Sequence, residues 1–437
     1  MSIELITILM FGSLLLILGL GLPVAFACGS VGVIFTALLQ GPAALNLVPT
    51  RIFGLMVQYL LAAIPLFILM ANILEKSGII EEIYEMVYQW MGGIKGGVAT
   101  ATIMACTMMA AMCGVIGASE VTMGLIALPQ MLRRNYNKHL ACGSILAGGT
   151  LGILIPPSVM LIVYGLVDNS SIGRLYAGAF MPGFMLSAFY IIYVTIRCYI
   201  KPELGPPVPP EERAPLPVRL KLLYRLVPAA ILIFLVLGTI FTGIAAPTEA
   251  AGVGAFGAFL LTLSQRKLTF KGLIQATEGT IKASAMVLWT MFGANVFVGL
   301  YVMVGGARFV SDALTGSGLG PWGIIIVINI ILIILGFFLD WVGIIMLCVP
   351  IFGPLIRKLG FDPIWFGVLF ATNLQISFLS PPFGYALFYL KAVAPPEITT
   401  WDIWKSAFNF MFIQVLGVIM CMVFPNIILW LPRLLMK

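Results

Sequence analysis

Three acidic residues, Glu120, Glu249 and Asp340, lie inside long apolar stretches of the chain. A carboxylate in such a setting is costly and marks function by default, unless it sits near an interface or bonds to a neighbouring helix end. Glu249 comes so early in its apolar run that the helix-end role suits it, whereas Asp340 is the stronger candidate for holding a cation. Asn295, alone in Phe292-Gly293-Ala294-Asn295-Val296-Phe297, either faces a cavity or caps a kink. Two proline pairs, Pro156-Pro157 and Pro381-Pro382, are embedded in apolar sequence as well. Each pair removes two backbone donors and cannot continue a helix without freeing carbonyls, so both read as helix breaks. They follow Gly148-Gly149-Thr150 and Asn373-x-Gln375-x-Ser377. A hard cation such as Na⁺ takes oxygen ligands, and unwound backbone with Ser, Thr or Asn side chains offers them without burying many charges. The alternative is that Gly and Ser there only let helices pack closely, as Gly148-x-x-x-Gly152 would.

Little else could do chemistry. The one histidine, His139, sits in the polar run Arg133–His139 and reads as a solvated loop residue. There is no HExxH, GxSxG or phosphate-binding Gly-Lys motif, which argues against a membrane enzyme. The 7 cysteines form no CxxC pair and mostly occupy apolar runs as small hydrophobes, so neither a metal site nor a disulfide framework is expected.

These residues must be positioned by elements suited to lipid. Of 437 residues, 61% are hydrophobic and 9% charged, a composition that excludes an ordinary soluble domain and intrinsic disorder alike. The net charge of +7 comes from basic residues in short gaps between apolar runs. That placement sets membrane orientation rather than recruiting nucleic acid. The run Leu5–Leu39 lacks a basic leader and a cleavage site, and reads as two spans broken at Gly21-Leu22-Pro23 rather than as a signal peptide.

Spans are expected near 5–20, 23–39, 53–74, 140–165, 174–197, 226–243, 249–264, 280–302, 366–390 and 407–431. Stretches 96–133 and 320–356 each fit two short crossings or one re-entrant hairpin, broken at Gly114–Thr122 and Gly336–Gly343. With the loop after Arg197 in the cytoplasm, 17 basic residues fall inside and 7 outside, with both termini outside.

The chain also repeats itself. Pro23 matches Pro247, Pro129 matches Pro350, and Pro156-Pro157 matches Pro381-Pro382, at offsets of 221 to 225 residues. On this reading Glu120 and Asp340 fall at nearly matching positions. Equivalent loops fall on opposite sides of the membrane, so the repeats are inverted, a pattern typical of secondary transporters whose sites lie where helices break near the midplane. The expected fold is therefore an all-α polytopic membrane protein of two inverted-topology repeats, each with a re-entrant hairpin and a broken helix. Residues 1–199 form the first repeat, 200–225 a cytoplasmic linker that reads as extended because of its prolines, and 226–437 the second.

The block Ala147–Ser158, with Ser171-Ile172-Gly173, Pro247-Thr248-Glu249-Ala250-Ala251, Asn373-Leu374 and Ser380-Pro381-Pro382, resembles the large membrane subunit of the tripartite ATP-independent periplasmic (TRAP) transporters. The match runs through essentially the whole chain. The resemblance implies an elevator-type carrier of the bacterial inner membrane, Na⁺ coupling with no cofactor, a small four-helix membrane partner and a periplasmic binding protein that delivers an organic acid. It implies one cation site at Gly117, Ser119, Gly149 and Thr150, and a second at Asp340, Asn373 and Ser377. Substrate would sit near Ser158, Asn295 and Ser380. The family often carries a Gly and Ser run at the first tip, where this chain reads Gly117-Ala118-Ser119-Glu120. The aromatic run Phe383–Tyr389 resembles the branch associated with monocarboxylates such as 2-oxo acids or lactate. A stand-alone ion-coupled carboxylate carrier, needing no binding protein, is the alternative.

Overall fold

Apolar segments that meet lipid must satisfy every backbone donor and acceptor internally, and these do so as helices. The computed structural model describes residues 1–382 and 384–436. Among them the chain is helical throughout, with no strand. The first half runs through α1 (Ile3–Gly19), α2 (Val24–Gln40), α3 (Leu47–Met56), α4 (Ala63–Lys76), α5 (Ile79–Met91), α6 (Gly97–Cys113), α7 (Ile116–Arg133), α8 (Lys138–Thr150), α9 (Val159–Asp168) and α10 (Ile172–Ile200). A short helix, α11 (Leu216–Leu222), ends the connecting segment. The second half comprises α12 (Val227–Phe241), α13 (Pro247–Ser264), α14 (Phe270–Met303), α15 (Gly306–Gly316), α16 (Pro321–Gly336), α17 (Trp341–Lys358), α18 (Pro363–Leu379), α19 (Tyr385–Val393) and α20 (Thr400–Val423). Helix α21 (Asn426–Leu435) follows, so the expected span 407–431 is interrupted at Phe424-Pro425.

Among the described residues, six segments are long and apolar enough to cross a bilayer unaided, including Ile172–Ile200, Phe270–Met303 and Thr400–Val423. The stretches 96–133 and 320–356 are helical hairpins, turning at Gly114-Val115 and Phe337–Asp340. The stretches 140–165 and 366–390 are broken helices, α8 with α9 and α18 with α19.

Both α7 and α8 recur 225 residues later as α17 and α18. The packing repeats too. Helix α7 lies on α19 as α9 lies on α17, α6 on α8 as α16 on α18, and α2 on α14 as α4 on α13. Reciprocal pairs of this kind are what a pseudo-two-fold axis produces, so the chain is two inverted-topology repeats. This register corrects two sequence pairings by about one helical turn. Pro129 corresponds to Pro354, not Pro350, both being interior to their helices. Asp340 corresponds to Val115, each preceding the second helix of its hairpin, so Glu120 has no acidic counterpart.

Helix α14 packs along α2 and α4, and α13 along α4 and α12. Where α14 meets α2, a Cβ at Gly293 would stand 2.0 Å from the Ala25 carbonyl oxygen, so only glycine permits that approach. The hairpins and broken helices form a second group with α10 and α20. Within it, α6, α8 and α18 are buried almost throughout. Ion pairs cross between the halves: Lys138 Nζ lies 2.7 Å from Asp402 Oδ1, and Arg357 Nη2 lies 2.8 Å from Asp168 Oδ2. His139 is in the first turn of α8 rather than in a free loop, with Nδ1 3.2 Å from the Asp402 carbonyl oxygen.

The proline-rich connection is not an extended linker. Pro202 and Pro210 open single 3-10 turns, a position that tolerates proline because no donor is needed there. The segment straps onto the base of the first hairpin. Val208 N donates to Gly92 O at 2.8 Å, Gly96 N to Gly205 O at 2.8 Å and Asn137 N to Leu204 O at 2.9 Å. Val208 is buried, and Arg134 pairs with Glu212.

Candidate functional site

The first hairpin turns at Gly114, which has a φ of +65° and closes α6 as a left-handed cap. A Cβ there would lie 2.3 Å from the Pro157 carbonyl oxygen, and one on Gly152 would lie 2.8 Å from the Val115 carbonyl oxygen. The tip therefore rests backbone to backbone on the interruption between α8 and α9. That interruption is a 3-10 turn at Leu151–Ile153 followed by Pro156-Pro157, whose peptide bond is cis, as is that of Pro381-Pro382. Ser158 restarts the helix: its Oγ donates to the Ile153 carbonyl and accepts from Leu161 N.

The second hairpin turns just after Gly336, where a Cβ would meet Ser377 Oγ at 1.9 Å. Asp340 then caps α17, its Oδ1 accepting from Gly343 N at 3.0 Å. Glu249 likewise has the helix-end role, with Oε2 accepting from Ala246 N at 2.8 Å.

Between the tips lies a cavity of about 180 Å³. Gly114–Ala118 line it from the first tip, Asp340 and Trp341 from the second, and Ile153, Val159, Phe378, Tyr385 and Tyr389 from the edges of the two breaks. Ile68, Asn72 and Glu75 of α4 and Ala283, Met286 and Val287 of α14 close the remaining wall. All four interrupted elements and the α4–α14 pair thus share one space. Tyr389 packs over Gly117, where a Cβ would stand 3.3 Å from the ring. No Lys or Arg is among the described lining residues. Asn72 Nδ2 donates to Thr280 Oγ1 at 3.0 Å, and Glu75 pairs with Lys76 at 2.8 Å.

Buried polar atoms normally find partners, so those that do not deserve an explanation. Two groups adjoin the breaks: Ser119 Oγ with both carboxyl oxygens of Glu120, and Asn373 Oδ1 with Ser377 Oγ and both polar atoms of Gln375. Beside Ser377, between the second tip and α18, is a void of about 10 Å³, enough for one water-sized occupant. Oxygen atoms dominate both groups, the donor chemistry a hard cation takes.

The residues singled out from the sequence divide accordingly. Gly117 lines the cavity, and Ser119 and Gly149 adjoin Glu120 beneath it. Thr150 Oγ1 donates to Ala147 O at 3.0 Å and accepts from Gln414 Nε2 at 3.4 Å. Asn373 Nδ2 donates to Asn329 Oδ1 at 2.8 Å, which leaves its own oxygen free. Ser158, Asn295 and Ser380 are elsewhere than in the cavity wall. Ser158 caps α9, Ser380 Oγ donates to Ile376 O at 2.7 Å, and Asn295 Nδ2 donates to Arg51 O at 3.1 Å. Sequence reasoning missed Asn72 and Glu75, and read Trp341 and Phe378 only as part of the two break segments and Tyr385 and Tyr389 only as part of an aromatic run. An Asn and a Glu one turn apart near the end of an apolar run were the available signal for the first two.

Paired hairpins and paired broken helices around one cavity, in two inverted repeats, define a membrane transporter of the secondary-carrier class. The sequence profile of the family described as tripartite ATP-independent periplasmic transporter, DctM component, matches residues 11–427. The chain is 29% identical to a C4-dicarboxylate TRAP transporter large permease protein of Vibrio cholerae, covering 100% of this chain and 98% of that protein. It is 28% identical to a sialic acid TRAP transporter large permease protein of the same species, covering 97% and 99%. It is 30% identical to an ectoine TRAP transporter large permease protein of Halomonas elongata, covering 86% of each. The fold is also similar to that of the Alcanivorax borkumensis YdaH transporter, with a TM-score of 0.64 at 13% identity over 95% of this chain and 98% of that one. The chain belongs to the DctM family of TRAP transporters, as a large permease subunit and a multi-pass protein of the bacterial inner membrane.

Proposed function

We propose that this permease carries a small organic acid inward, coupled to Na⁺, after a periplasmic binding protein has delivered it. A small four-helix membrane subunit completes the complex. The single observation that carries the reading is the cavity shared by both hairpin tips, both helix breaks and the α4–α14 wall. In this mechanism the hairpins and broken helices move as one body past α2, α4, α13 and α14. The ion pairs between Lys138 and Asp402 and between Arg357 and Asp168 tie the two halves of that body together.

Na⁺ travels as co-substrate. One site is assigned to the first tip, at Gly117 and Ser119 with Gly149 and Thr150. The other is assigned to the second tip, at Asp340 with Asn373 and Ser377. The unpartnered oxygens support that assignment. Relatives are named for C4-dicarboxylate, sialic acid and ectoine. For this chain a monocarboxylate is the better fit. A cavity of about 180 Å³ suits a small molecule, since about 150 Å³ on this measure accepts benzene. A second anionic group would face Asp340, and Glu75 with its Lys76 partner, with no basic residue among the described lining.

The test is uptake of a labelled organic-acid panel into proteoliposomes, with and without the small subunit, the binding protein and an inward Na⁺ gradient. Uptake that needs all three supports the reading, and a small monocarboxylate is the expected cargo. Uptake by this subunit alone would establish a stand-alone carrier instead, and uptake indifferent to Na⁺ would refute the coupling.

A further inference from the structure

Glu120 is fully buried, one turn along α7 from Gly117, which lines the cavity. Neither of its carboxyl oxygens has a hydrogen-bond partner, and it is in none of the salt bridges among the described residues. A charged carboxylate is not stable in this state: it either gains a countercharge or stays protonated, because the loss of hydration is not otherwise repaid. Its placement is built rather than incidental. A Cβ on Gly149 would stand 2.2 Å from Glu120 Cγ and 2.9 Å from Oε1, so glycine at 149 is what admits the side chain to the end of α8. Ser119 Oγ, the preceding residue's hydroxyl, is also buried and unpartnered.

The second hairpin has nothing equivalent. The residue in register with Glu120 is Ile345, and that hairpin's own carboxylate, Asp340, already caps a helix. We propose that Glu120 is a charged ligand of the cation at the first tip, so that this site holds its ion by a carboxylate with both oxygens free, while at the second the Asp340 carboxylate already has one oxygen engaged by Gly343 N. The inference rests on the Na⁺-coupled reading given above. It makes the two sites unequal: the first binds its ion more tightly, because both oxygens of its carboxylate are available to it.

The experiment compares wild type with Glu120→Gln, which keeps the shape over Gly149 and removes the charge, and with Glu120→Asp. The first readout is the half-saturating Na⁺ concentration for uptake by the reconstituted complex. The expected change for Glu120→Gln is a rise of roughly tenfold or more, as the loss of one close charge contact in a protein interior implies. Glu120→Asp should fall between. The second readout needs no transport: stabilisation of the purified subunit against heat by Na⁺ relative to choline, which Glu120→Gln should reduce. Na⁺ dependence in wild type that Glu120→Gln leaves unchanged in both readouts would overturn this inference alone and mark a permanently neutral carboxyl. Absence of any Na⁺ effect in wild type would overturn the coupling reading itself.

Discussion

Replacing Gly336 with alanine drives a methyl group to 1.9 Å from Ser377 Oγ and 2.3 Å from Ser377 Cβ. Carbon contacts settle near about 3.5–4.0 Å, so the tip and α18 must separate by more than about 1 Å in a buried, close-packed place. Overpacking of this kind costs about 1–3 kcal/mol. The clash has one principal partner, which permits a sharper test. Ser377→Gly removes the two closest atoms, and the third, Ser377 Cα, stands 3.1 Å from the new methyl. Gly336→Ala should therefore lower the unfolding temperature by several degrees in wild type and by much less in the Ser377→Gly background. The coupling between the two sites should be about 1 kcal/mol or more. Thermal unfolding of the detergent-solubilised subunit at one fixed scan rate reads this, since membrane proteins seldom unfold reversibly. Equal losses in both backgrounds would refute the close approach of tip and helix on which the second cation assignment depends.

Asp340→Asn should keep the cap on Gly343 N, leaving stability nearly unchanged while weakening the Na⁺ dependence of uptake; Asp340→Ala should lose both, at about 1 kcal/mol for the cap. Asn295→Ala should cost about 1 kcal/mol by removing the bond its Nδ2 donates to the Arg51 carbonyl, without changing KM for the transported acid. The strap 201–213 should resist trypsin in the folded protein, and Val208→Asp, which places a charge where Val208 is 2% exposed, should open it to cleavage at Arg213.

The helix breaks were legible because proline pairs inside apolar sequence have few structural meanings, and the hairpins because a run near 37 residues cannot be one short span. Register was less legible. Helix α17 contains both Pro350 and Pro354, one turn apart, and pairing Pro129 with the wrong one displaced Glu120 onto Asp340. Site residues were the least legible part, for a physical reason. A serine in an apolar helix can satisfy its hydroxyl on the carbonyl one turn back, as Ser380 does on Ile376, so polarity alone does not separate a ligand from a self-bonded side chain. The cavity wall depends on which faces of α4 and α14 meet the tips, and no local pattern reports that. Tyr389 over Gly117 joins residues from opposite repeats.

That the cavity between the tips is where the transported acid binds can be tested at Ala118. Ala118 lines the cavity and none of the seven native cysteines does, so Ala118→Cys would be the thiol that a reagent entering the cavity reaches. The measurement is the rate of its labelling by a membrane-permeant maleimide in proteoliposomes, with and without Na⁺ and the transported acid. Slower labelling when both are present, and loss of uptake once the thiol is modified, is the predicted result. Labelling that proceeds equally fast in their presence and leaves uptake intact would contradict the account.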